Sequence, residues 1–240
     1  MDIRRVLDLE SPDAFPVPAI LLAPLSPRSG VVLVHPYAAA KEQMIGLALR
    51  LGEQHVATLA IDLGGHGENE APLGARILGE VESAITRLRA DFEFVGCLGV
   101  GFGARLALNS SADYIVAMAA PLARPAARRQ RFDMPFDVPA RTPEDEVANV
   151  MKDLPAIGKS DRDCLLIYVE GDPRAAVTAR ELEPLLPKAE GWYVEPLGAT
   201  REDLIPREWQ LLLNPSAIET ACNWLAEAPE RVRAERGVHV

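Results

Sequence analysis

The 240 residues carry 35 acidic against 25 basic side chains, and the net charge of −10 excludes a nucleic-acid partner, because phosphate binding needs a basic face. Hydrophobic residues make up 48% of the chain, enough to bury a full core in one domain spanning 1–240, yet no apolar run is long enough to span a bilayer. The opening MDIRRVLDLE lacks the apolar region of a secretory signal, so the expected setting is the cytoplasm, with no membrane partner.

In chain order, RRVLDL and VPAILLAP read as two opening antiparallel strands. GVVLVHP, from Gly30 to Pro36, is a continuous apolar run, as expected of a central strand buried on both faces. Met44, Leu47, Ala48 and Leu51 then fall on one helical face, and VATLAID, Val56 to Asp62, is the next strand. A glycine-rich loop, LGGHGENEAPLG, leads to a helix marked by Ile77, Val81, Ala84, Ile85 and Leu88. FVGCLGV and YIVAMAAP are the following strands, and CLLIYVEGDP and GWYVEPLG are two more, separated by a helix around Ala175 to Leu186. Asn214 is placed to cap the last helix, with Pro215 at its first position and Ile218, Ala221, Cys222 and Leu225 as its buried stripe. Such alternation predicts an α/β fold: a mostly parallel, eight-stranded sheet with helices on both faces.

Between Pro121 and Asp163 the pattern weakens. This segment, 122–163, is expected to make an excursion over the sheet edge as a small lid, with a capping-box helix start at Thr142-Pro143-Glu144-Asp145. Its Arg124, Arg128, Arg129 and Arg131 read first as a solvated face and second as a site for an anionic ligand or partner. Cys97, Cys164 and Cys222 are odd in number and sit in apolar segments, so they read as buried thiols. His35, His55, His66 and His239 have no metal-ligand spacing, and no metal or cofactor is called for.

Chemistry concentrates on GVGFGA. Gly99, Gly101 and Ala104 satisfy the dinucleotide fingerprint, but several strands precede this turn and YIVAMAAP ends without the acid that would hold a ribose. The competing reading is a nucleophile elbow, GxSxG, with Gly99 and Gly103 as flanking small residues and Gly101 in the nucleophile's place.

Around this turn the order of landmarks resembles the α/β-hydrolase superfamily, closest to its dienelactone-hydrolase and small-esterase branches. VVLVHPYAAAKEQM is similar to the family's HG turn and first helix, with Pro36 for the usual glycine. LAIDLGGHGEN is similar to its D-x-x-G-H-G-x-S loop, through Asp62, Gly65, His66 and Gly67, with Asn69 replacing serine. LLIYVEGDP is similar to the segment that delivers the catalytic acid, at Asp172. The resemblance implies Gly101 at the sharp strand-to-helix turn and Asp172 on a loop at the same sheet edge.

It also implies a degenerate triad. Glycine at 101 offers no atom to attack a carbonyl, and the loop expected to carry the histidine has Ala199 and Thr200. Of the triad positions Gly101, Asp172 and Thr200, only the acid survives. The expected protein is a non-hydrolytic binding or scaffold member of the fold; the alternative is a carboxylester or dienelactone-type hydrolase using Asp172 or His35 in a non-standard arrangement. The resemblance places oxyanion donors at the backbone N–H groups of Tyr37 and Phe102, which with His35 and His66 would line a site for a small anion or carboxylate in the room left above Gly101. His66 is otherwise a loop brace, His35 either brace or pocket floor. The oligomeric state is left open.

Overall fold

A computed structural model describes residues 1–74, 76–121, 141, 143–197 and 207–237. Eight strands form one sheet: β1 (Asp2–Val6), β2 (Ala19–Ala23), β3 (Ser29–Val34), β4 (Val56–Ile61), β5 (Val95–Val100), β6 (Tyr114–Met118), β7 (Asp163–Val169) and β8 (Ala189–Val194). Their spatial order is β1-β2-β4-β3-β5-β6-β7-β8. Only β2 runs against its neighbours β1 and β4; from β4 to β8 every pairing is parallel. The sequence expectation of strand number and direction therefore holds.

Among the described residues, seven α-helices cover the sheet: α1 (Ile45–Glu53), α2 (Ile77–Arg89), α3 (Phe102–Asn109), α4 (Glu144–Asp153), α5 (Pro173–Leu182), α6 (Arg207–Leu213) and α7 (Pro215–Glu235). β3 shows why the apolar runs are continuous. Val31 and Leu33 face the layer of α1 and α7, while Val32 and Val34 face the layer that includes α2 and α3, and all four are fully buried. Successive strand side chains point to opposite faces, so a strand covered on both sides is apolar at both, here from Gly30 to Val34.

Asn214 caps α7 as expected, its side chain accepting from the N–H groups of Ser216 at 2.9 Å and Ala217 at 3.2 Å. The described part of the segment expected as a lid contains α4, and its Val150, Leu154 and Ile157 pack into the core, while Arg141 donates to the carbonyls of Gly65, Gly67 and Asn69 in the loop after β4. Residues 122–140, with the arginine cluster, and Thr142 lie outside the described residues; α4 itself starts at Glu144 after Pro143. α6 is a helix in a stretch to which the sequence patterns assign no element. Among the described residues, no helix is long and apolar enough to cross a membrane.

Candidate functional site

Because β3 to β8 run parallel, the turns that follow them gather at one edge of the sheet, where open α/β folds bind ligands. Gly101 and Phe102 follow β5, and His35, Pro36 and Tyr37 follow the adjacent β3. The loop with His66 follows β4, and Asp172 follows β7. The sequence-predicted residues are thus brought to one edge, apart from Thr200, which lies outside the described residues.

The elbow is present in full backbone form. Gly101 has φ 53° and ψ −117°, a conformation that L side chains adopt only under strain and that glycine accepts freely. Its flanking glycines are required by close approach. A Cβ at Gly99 would collide with the backbone of Gly103, and one at Gly103 would collide with the carbonyl of Val34. The GxGxG spacing therefore encodes the packing of α3 against β5 and β3, whether or not a nucleophile stands in the middle.

The space above Gly101 is not open. A Cβ built there would stand 2.5 Å from Cγ of Glu208 on α6. Arg207, the preceding residue, donates from Nη1 to Asp172 Oδ2 at 2.6 Å, both side chains being largely buried. The other carboxylate oxygen, Oδ1, accepts the Arg174 N–H at 2.8 Å and caps α5. Asp172 is thus engaged on both oxygens, by a guanidinium and a helix start.

Glu208 stands in the space expected to take a small anion. A bare anion above Gly101 would meet the Glu208 carboxylate, and like charges at contact range repel. Phe102 opens α3 and is 5% exposed, while Tyr37 is half-buried, its ring set edge-on against His66 at 5.4 Å.

His35 is fully buried. Its Nδ1–H donates to Pro36 O at 2.7 Å and its Nε2 accepts the Leu63 N–H at 3.1 Å, tying the ends of β3 and β4 together. Burial, with the neighbouring His66, pushes its pKa down to about 3, so the ring is neutral at physiological pH. With both nitrogens committed it acts as a brace and presents no atom to a ligand. His66, also buried, has Nδ1 3.0 Å from Gly64 O and its ring 5.2 Å from that of His35.

The loop holding His66 is pinned by Asp62. Its carboxylate accepts from the Lys41 N–H at 2.8 Å, Lys41 Nζ at 2.6 Å and the Glu68 N–H at 2.9 Å. Burial alone would lower the pKa of the Lys41 ammonium, but Asp62, Glu42 and Glu68 overcome this and raise it. Asn69, in the usual serine's place, donates from Nδ2 to Asp62 O at 2.9 Å and accepts the Ala71 N–H at 3.0 Å. Below the loop, buried Glu80 accepts the Gly64 N–H at 2.9 Å, and burial raises its pKa to about 7. Cys97, Cys164 and Cys222 are buried, and desolvation pushes each thiol up to about 12. No group of three metal-ligating side chains occurs among the described residues.

Sequence reasoning missed Arg207 and Glu208. The available signal was PREWQLLLNP, in which a short helix-compatible stretch lies between Pro206 and the Asn214-Pro215 start of the next helix.

No family model and no curated protein matches the sequence. Solved structures do match in shape. The Pyrococcus furiosus esterase Pf2001 superposes with a TM-score of 0.66 at 12% identity, over 95% of this chain and 91% of that one. Est1E of Butyrivibrio proteoclasticus, with ferulic acid bound, gives 0.68 at 13% identity over 95% and 99%. The bottromycin epimerase BotH, in complex with bottromycin A2, gives 0.60 at 16% identity over 94% and 98%. Strand order, elbow geometry and these superpositions agree that the chain is an α/β-hydrolase-fold protein.

Proposed function

We propose that this protein is a non-hydrolytic member of the fold, acting as a binding or scaffold protein of the cytoplasm. One observation carries the reading: the nucleophile position is a glycine, and the space its side chain would need holds Glu208. Covalent catalysis at the elbow requires an attacking atom and a base to take its proton. Position 101 supplies none, and the acid that would orient a histidine is paired with Arg207 instead. The retained elbow glycines do not argue for activity, because helix packing alone demands them. Incubation with a fluorophosphonate probe and with short p-nitrophenyl esters tests the proposal. The expected result is no labelling and no turnover above a heat-denatured control; labelling, or turnover that purifies with the protein, overturns it.

A second reading draws on Glu208 itself. A carboxylate at the sheet edge is a candidate for proton transfer, and BotH, as an epimerase, marks a chemistry other than ester hydrolysis on this fold. Under this reading a turnover found in a substrate screen is abolished by Glu208→Gln and survives His35→Ala. Survival in Glu208→Gln removes it.

A further inference from the structure

The acid position is retained although the site has neither nucleophile nor the histidine it would orient, and its surroundings give it another task. We propose that Asp172, through Arg207, is a positioning residue that latches α6 over the elbow and so keeps Glu208 in the nucleophile's space. The inference goes beyond the loss of hydrolysis and is tested without any activity assay.

Three observations bear on it. The Arg207–Asp172 pair is short, at 2.6 Å, with side chains only 19% and 10% exposed, so water screens it less than a surface pair. α6 is a seven-residue helix, too short to be stable alone, so its position depends on what it touches. Among its contacts, the first residue holds Asp172 on one side of Glu208, while Trp209, Gln210 and Leu211 are buried on the other, Leu211 in the layer of α1 and α7. With both ends of the helix fixed, the intervening turn delivers Glu208 to Gly101. The packing is tight enough that even one added carbon at residue 101 would meet Glu208 Cγ at 2.5 Å. Position 101 is glycine for two separable reasons, its backbone angles and this side chain.

That separability makes the latch measurable. Gly101→Ala is compared by thermal unfolding in four backgrounds: wild type, Glu208→Gly, Asp172→Asn and Arg207→Gln. Asparagine at 172 preserves the cap on α5 while removing the charge, and Arg207→Gln leaves residue 172 untouched, so it carries the test if Asp172→Asn fails to fold. In wild type the alanine meets both the strained angles and Glu208; in Glu208→Gly it meets the angles alone. The Tm drop caused by Gly101→Ala should shrink by several degrees in Glu208→Gly, and by a comparable amount when either latch residue is neutralised. Hydrogen exchange gives an independent reading. Amides of 207–213 should exchange at least tenfold faster in Arg207→Gln, while those in the middle of α7 stay unchanged. An equal Tm drop in all four backgrounds overturns the proposal. So does unchanged exchange across α6 in the charge-neutralised variants.

Discussion

At Gly101 backbone geometry and side-chain packing bear on one residue. Its φ of 53° with ψ of −117° would cost an L side chain about 1–3 kcal/mol, and the Glu208 contact adds to that. Gly101→Ser is therefore expected to lower stability by at least that amount in a denaturant titration, and the new hydroxyl, without a base, should remain unlabelled by a fluorophosphonate. Glu80 shows the other way in which burial shapes single residues here. Its folded pKa of about 7 lies above its ordinary 4.5, so the folded state binds the proton more tightly than the unfolded chain. Stability is then fullest below pH 4.5 and falls as pH rises toward 7, by up to about 3 kcal/mol, after which the deficit is constant. Glu80→Gln is expected to remove the Glu80 contribution to this slope. Urea midpoints at pH 5 and pH 8 should differ less in the variant than in wild type, and an equal difference would place the slope elsewhere.

Among the elements, what was legible in the sequence follows from how local its cause is. β3, β4 and β5 announce themselves as continuous apolar runs because both sides of each strand are buried. The α7 cap is written in adjacent residues, Asn214 and Pro215. The elbow is legible through Gly99 and Gly103, whose constraint is steric and lies within one turn. By contrast α6 has too few residues to show a helical period, and its role depends on a pair, Asp172 with Arg207, that no local spacing encodes. One missing side chain makes the space above Gly101 read as open, whereas Glu208, from a distant part of the chain, stands beside it. The loop after β4 lies between these cases. Its glycines and His66 are visible, whereas the buried ammonium that anchors it is not, since Lys41 reads as an ordinary helix-start residue. Lys41→Met would leave Asp62 buried without its counter-charge, and breaking such a pair costs about 3–5 kcal/mol. The variant is expected to lose that much in chemical denaturation; a loss below about 1 kcal/mol would mean that the backbone donors to Asp62 suffice.

For the whole molecule, the reading of one domain across 1–240 turns on how its two apolar layers are joined. Each layer lies on one face of the same eight-stranded sheet, and every parallel strand from β3 to β7 contributes side chains to both. Neither layer is able to open without exposing the backs of strands that the other layer needs, so the layers should melt together. Ile85 belongs to the layer of α2 and α3, and Leu98 to the layer of α1 and α7, and both are fully buried. Truncating either to alanine removes about 2–5 kcal/mol, by lost burial and the cavity left behind. If the sheet couples the layers, Ile85→Ala and Leu98→Ala each lower the midpoint of one shared calorimetric transition, and their distance through the sheet makes the two losses add to within about 0.5 kcal/mol. A thermogram that splits in one variant, with part of the heat left at the wild-type temperature, would show a boundary between the layers and divide the chain into two units.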